Sequence, residues 1–137
     1  MQVAFFLLPK SELCYLQDDF TLRQALEKMQ RNSLMALPIL DKEGKYAGSI
    51  TTADILWYIK DKHGLDLNKA ANIPLMNIPR LRDNRPVKID ARIEDLLDAA
   101  MEENFIPVID DLGVFIGMVR RRELLIQYQK EFAAKKE

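Results

Sequence analysis

Apolar and polar positions along the chain follow a scheme that occurs twice. Leu22, Ala25, Leu26 and Met29 fall at the i, i+3, i+4, i+7 spacing of an amphipathic helix, and Ile93, Leu96, Leu97 and Ala100 repeat the same four spacings. Asp19 and Asp90 precede these stripes and are predicted as their N-caps. Met35 to Leu40 and Phe105 to Ile109 are short apolar runs bounded by acidic turns, the pattern of buried strands. Hairpin turns are predicted at 41–45 and 110–113, with returning strands over Tyr46 to Ile50 and Val114 to Val119. A helix follows each return, striped by Ile55, Leu56 and Ile59 in the first and by Leu124, Leu125, Tyr128 and Phe132 in the second. Leu13 to Leu16 and Val87 to Ile89 supply a strand ahead of each first helix.

The two schemes are also spelled alike. Leu37-Pro38-Ile39-Leu40-Asp41 is echoed by Ile106-Pro107-Val108-Ile109-Asp110, and Gly48 by Gly117. Each pair of landmarks lies 69 residues apart. A shared period of this length marks two copies of one supersecondary unit. The expected class is α+β, a pseudo-symmetric pair of β-α-β-β-α units with small sheets flanked by helices. Unit one is placed at 1–60 with an N-terminal segment, a linker at 61–80, and unit two at 81–137. His63-Gly64 is read as a helix end, and Pro74 and Pro79 punctuate the linker. Each unit alone would leave one face of a small sheet bare, so the two are expected to cover each other.

Composition narrows the function classes. The 137 residues are 48% hydrophobic and 30% charged, as in a globular protein with a core of its own. A net charge of −1 gives no overall attraction to nucleic acid or anionic lipid, so any anion site is local. Val3 to Leu8 is apolar but short, lacks a basic leader and ends at Pro9, and is read as a segment packed on the body. No stretch approaches the ~20 apolar residues of a membrane span. The single cysteine, Cys14, forms no internal disulfide and fits a reducing, cytoplasmic setting.

The repeat resembles the tandem CBS-domain pair, or Bateman module, over nearly the whole chain. Its most specific element is Gly48-x-x-Thr51-x-x-Asp54 after Pro38-Ile39-Leu40-Asp41. The chain also looks like the small stand-alone CBS proteins of Gram-positive bacteria that bind cyclic di-AMP and pass the signal to a partner protein. The resemblance implies a non-catalytic sensor of an adenine nucleotide, with cyclic di-AMP as the ligand expected here. It places the nucleotide in clefts between paired units, and it implies a homodimer and a regulated partner protein. In those relatives paired arginines at the start of the last helix meet the ligand's phosphates, and Arg121 and Arg122 fall at those positions.

Each candidate residue has a functional and a structural reading. Asp54 can accept both hydroxyls of a ribose, and Thr51 with free helix N–H groups can hold a phosphate. Thr-x-x-Asp opening a helix is equally a capping box. Arg120, Arg121 and Arg122 stand where three cations oppose a helix dipole unless an anion is near. Alternatively they face solvent or pair with Asp110, Asp111 or Glu123. Arg120 and Glu123 replace the Thr and Asp of the first copy, so the two clefts are expected to differ. The base is expected against Cys14, Tyr15, Met35, Ala36 and Leu37, which otherwise are plain core. Many relatives carry a hydroxyl residue where this chain has Leu34-Met35, a departure that bears on the ligand's identity. Trp57 is core or a dimer anchor.

Neither a nucleophile–base pair nor a set of metal ligands is visible, and no cofactor beyond the regulatory nucleotide is expected. The alternatives to a cyclic di-AMP sensor are an AMP- or ATP-sensing module and a ligand-free dimeric interaction protein.

Overall fold

The computed structural model describes residues 2–62, 66–81 and 83–136. It is an α+β chain, with four α-helices and two small mixed sheets among the described residues. The chain divides into two compact units, residues 14–83 and a second unit built from 84–136 together with 2–13.

In the unit of residues 14–83, strand β2 (Leu16–Gln17) leads to α1 (Leu22–Arg31), then β3 (Ala36–Leu40), β4 (Tyr46–Thr51) and α2 (Thr52–Asp61). The sheet order is β2-β3-β4, parallel between β2 and β3 and antiparallel between β3 and β4. Its core gathers Leu16, Leu22, Ala25, Met29, Leu37, Ile39, Ile50 and Ile55. Ala70, Leu75 and Ile78 belong to the same core. They come from two short 3-10 turns, Leu67–Asn72 and Leu75–Asn77, and the residue after them. Three residues of the stretch predicted as a linker at 61–80 therefore enter the first unit's core. Leu22 N–H donates to Ile73 O and Leu75 N–H to Phe20 O, both at 2.8 Å, which ties these turns to the start of α1. The predicted helix end at His63-Gly64 lies outside the described residues.

The second unit repeats this order with β5 (Val87–Lys88), α3 (Ile93–Glu102), β6 (Phe105–Ile109), β7 (Phe115–Arg120) and α4 (Arg121–Lys136). It adds an edge strand, β1 (Leu8–Pro9), in the sheet order β1-β7-β6-β5. Leu8 pairs with Met118 and Pro9 with Gly117, and Val3 is buried in this unit's core. The N-terminal segment, expected in unit one, thus packs with unit two. Gly117 makes the approach possible: a Cβ there would stand 2.2 Å from the Leu8 carbonyl oxygen, a backbone atom that cannot step aside.

Both predicted caps are displaced by two residues, for one reason. After each leading strand the chain makes a hydrogen-bonded turn, Phe20 N–H to Gln17 O and Ala91 N–H to Lys88 O. Asp19 and Asp90 sit inside these turns. Thr21 caps α1 in a reciprocal box with Gln24. Arg92 holds the equivalent place before α3 without a side-chain cap, where Glu94 and Asp95 in the first turn suit the helix dipole.

The stripe expected on α4 divides. Leu124 is buried, but Leu125, Tyr128 and Phe132 are 61%, 68% and 52% exposed. They lie one or two turns apart on one face, with the two rings stacked at 6.4 Å. On α2, Ile55 is buried while Leu56 and Trp57 are exposed.

Leu75→Ala should cost about 2–5 kcal/mol in urea unfolding, the range for truncating a buried leucine. A loss below about 0.5 kcal/mol, typical of a surface position, would show that these turns lie loosely on the unit.

Candidate functional site

In the first unit the β3–β4 register sets Ala36 opposite Thr51. Thr52 N–H donates to Met35 O at 2.9 Å, so the start of α2 is held against the start of β3. Met35, Ala36, Thr51 and Asp54 are thereby brought together. Leu37, next along β3, points into the core, while the Met35 side chain is exposed.

Thr51 is the N-cap of α2 and Asp54 its N3 residue, and the pair forms a capping box. Asp54 N–H donates to Thr51 Oγ1 at 3.1 Å, and Thr51 N–H to Asp54 Oδ2 at 3.0 Å. Asp54 Oδ1 accepts from Leu81 N–H at 3.0 Å. Both carboxylate oxygens are therefore engaged by backbone donors, and the residue is only 5% exposed. Of the two readings of Thr-x-x-Asp, the cap is the one seen.

Cys14 and Tyr15 stand just ahead of β2, and Tyr15 O accepts from Lys28 Nζ. The Lys28 ammonium also lies 5.1 Å from the Tyr15 ring centre and 5.7 Å from that of Phe20. Burial pushes the Cys14 thiol above its ordinary range, and the Lys28 charge only partly offsets this. The thiol is thus protonated at neutral pH and a poor nucleophile. Lys28 is a cation that the helix pattern alone did not single out, because it flanks the Leu22–Met29 stripe.

Two further residues were missed, Arg80 and Asp83. Asp83 accepts from Ser49 N–H at 2.9 Å and pairs with Arg80 at 2.7 Å. Their i, i+3 spacing is a clue on a helix, but here it falls in a Pro-punctuated stretch without a helical pattern. Desolvation raises the Asp83 pKa, but the Arg80 guanidinium and the Ser49 N–H outweigh it, holding the carboxyl below the usual range.

In the second unit, α4 opens where α2 does in the first. Arg121 N–H donates to Asn104 O at 2.9 Å, matching Thr52 and Met35. Arg120 Nη2 pairs with Glu123 Oε1 at 3.1 Å, taking the places of Thr51 and Asp54. Arg121 Nε donates to Ala100 O at 2.6 Å, in the last turn of α3, where a cation also suits the helix dipole. Its Nη groups carry further donors. Arg122 is exposed. None of the expected binding residues lines the open cavity of about 330 Å³ bounded by Arg23, Leu26, Glu27, Gln30, Asn68 and Ala70. No group of His, Cys, Asp or Glu among the described residues is arranged to hold a metal ion, and no helix of the described residues is long and apolar enough to cross a membrane.

The sequence matches the CBS-domain family over residues 8–61 and 81–130, and the chain belongs to that family. A CBS domain-containing protein of Dictyostelium discoideum is 29% identical over 135 residues, 91% of this chain and 90% of the relative. Among solved structures, CbpB in complex with c-di-AMP has a TM-score of 0.86 at 20% identity, covering 99% of this chain and 89% of that one. CbpB of Listeria monocytogenes, also in complex with c-di-AMP, has a TM-score of 0.83 at 22% identity, covering 96% and 98%. At these identities the structural likeness establishes the fold.

Asp54→Ala should destabilise the first unit by about 2 kcal/mol in urea unfolding, through loss of the cap and of the Leu81 bond. A loss under about 0.5 kcal/mol would mean that neither bond contributes. Asp83 has a lowered folded pKa, so its stabilisation is present above the unfolded value, roughly 3.9. It is lost as pH falls through the lower folded value. Wild type should therefore exceed Asp83→Asn in stability from neutrality down to roughly pH 5, and the gap should close in stronger acid. A gap that widened on acidification would contradict this.

Proposed function

We propose that this protein is a non-catalytic regulatory sensor that binds an adenine nucleotide, cyclic di-AMP foremost, and relays its level to a partner protein. The observation that carries the reading is the cluster of cations opening α4. Three consecutive arginines crowd the positive end of a helix, at a cost of roughly 0.3–1 kcal/mol each unless an anion lies near. Only one has an acidic partner among the described residues, Arg120 with Glu123. Arg122 and the Nη groups of Arg121 suit the planar, bidentate recognition of a phosphodiester. The CBS frame supports the same direction, as do the two CbpB structures, whose ligand is c-di-AMP.

AMP or ATP sensing is the second reading, and it leans on Thr51 and Asp54. The engagement of both Asp54 oxygens by backbone donors favours the α4 cations over this motif. In the second reading the base would lie against backbone near Cys14, Tyr15 and Met35 to Leu37. Leu125, Tyr128 and Phe132 on α4, and Leu56 and Trp57 on α2, are the apolar faces through which we expect a homodimer. The setting in this reading is the cytoplasm. Signalling would proceed by population shift, limited by the ligand's differential affinity for the two states.

Calorimetric titration with cyclic di-AMP, AMP and ATP tests the reading. The expected result is saturable cyclic di-AMP binding that Arg121→Ala/Arg122→Ala weakens at least about tenfold, the loss of one or two charge-assisted bonds, while Asp54→Ala has a smaller effect. Binding of AMP or ATP that depends on Asp54 would favour the second reading. Absence of heat with every nucleotide, from folded protein, would leave the ligand-free interaction protein.

A further inference from the structure

Leu81 and Asp83, near the end of the first unit, are fastened by polar bonds to its Gly48–Asp54 segment. Leu81 N–H meets Asp54 Oδ1 at 3.0 Å. Asp83 Oδ1 accepts from Ser49 N–H at 2.9 Å and from Arg80 Nε at 2.7 Å. Arg80 Nη2 reaches the other oxygen at 3.4 Å. One backbone N–H and the two-pronged edge of a guanidinium therefore converge on a single carboxylate, a donor set that fits an edge of phosphate equally well. Gly48 leaves room for it: a Cβ there would stand 2.5 Å from Asp83 Oδ1.

The corresponding place in the second unit is filled differently. Gly117 is covered by the Leu8 carbonyl within a β-ladder. Backbone in a ladder cannot leave without unpairing a strand. A side-chain carboxylate that is 41% exposed can rotate away at the cost of one ion pair and one hydrogen bond.

We propose that Arg80, Leu81 and Asp83 act as a displaceable strap in which the Asp83 carboxylate is a built-in competitor for an anionic group at Ser49 N–H and Arg80. The proposal rests on the nucleotide-sensing reading for the natural anion, whose phosphate would take the place of the carboxylate. A closed strap lowers apparent affinity by the fraction of molecules in which it is open. It sets a threshold below which the first unit does not respond. Displacement also frees Leu81 from Asp54, returning a carboxylate oxygen to the motif.

Inorganic pyrophosphate is the probe, followed through the Ser49 and Leu81 amide signals of ¹⁵N-labelled protein, with thermal melts showing that each variant is folded. Asp83→Asn should let pyrophosphate shift the Ser49 amide at about fivefold lower concentration than in wild type, the weight of one charge-assisted bond. Adding Arg80→Ala should abolish that gain. Identical titrations of wild type and Asp83→Asn, or a Ser49 amide silent in both, would overturn the strap. Failure of the nucleotide reading appears separately, as absent calorimetric heat with a Ser49 amide that still responds to pyrophosphate. A protein that binds cyclic di-AMP while its Ser49 amide ignores pyrophosphate overturns the strap alone.

Discussion

An antiparallel pair cannot slip by one residue without turning its core face outward, and in both units the helices and the site take their positions from that constraint. The β3–β4 and β6–β7 ladders share one register and one irregularity, between Ile39 and Leu40 in the first and between Val108 and Ile109 in the second. Each buries one apolar run against the first helix of its unit. Each also delivers the chain to its next helix at the same spot, where the first helical N–H bonds a carbonyl just ahead of the facing strand. The helix start is thus a fixed platform, and only the side chains mounted on it are free to differ.

They differ in charge. On the first platform a threonine and an aspartate close upon each other and upon Leu81, leaving no carboxylate oxygen unengaged. On the second an arginine and a glutamate take those two places as an ion pair, and two more guanidiniums come directly after. A half-exposed pair of this kind contributes little to stability. What it provides is a patch of positive potential at a helix end that already carries partial positive charge. One framework therefore supports a closed polar knot and an open cationic start.

Much of the architecture was legible in the repeat itself, because strand and helix periodicities report burial directly. Phe105 to Ile109 forms β6 as read, and Leu22, Ala25, Met29, Leu96 and Ala100 are core, while Leu97 of the second stripe is exposed. The sequence misplaced features set by tertiary contacts. Asp19 and Asp90 look like caps, yet backbone turns claim them. Leu125, Tyr128 and Phe132 have core-like spacing but stay more than half exposed, since apolarity alone does not say which surface a residue meets. Ala70, Leu75 and Ile78 sit among prolines and short turns, where no period betrays burial. At the site, the Thr-x-x-Asp signature showed both of its meanings, and only the Leu81 bond and the burial of Asp54 favour the structural one. Arg80 and Asp83 were invisible because the Ser49 N–H that Asp83 accepts from is distant in sequence.

The placement of β1 has a consequence for how the chain comes together. Leu8 and Pro9 find their partners on β7, at Met118 and Gly117, far along the sequence. Made before β7, they wait unpaired until Gly117 and Met118 exist, so the second unit closes by a contact of long sequence separation, which is slow to form. During that interval Val3, Phe6 and Leu7, which later pack in or against that unit's core, remain uncovered. The early chain is then open to aggregation, and the order of synthesis works against the order in which this edge of the sheet can be sealed.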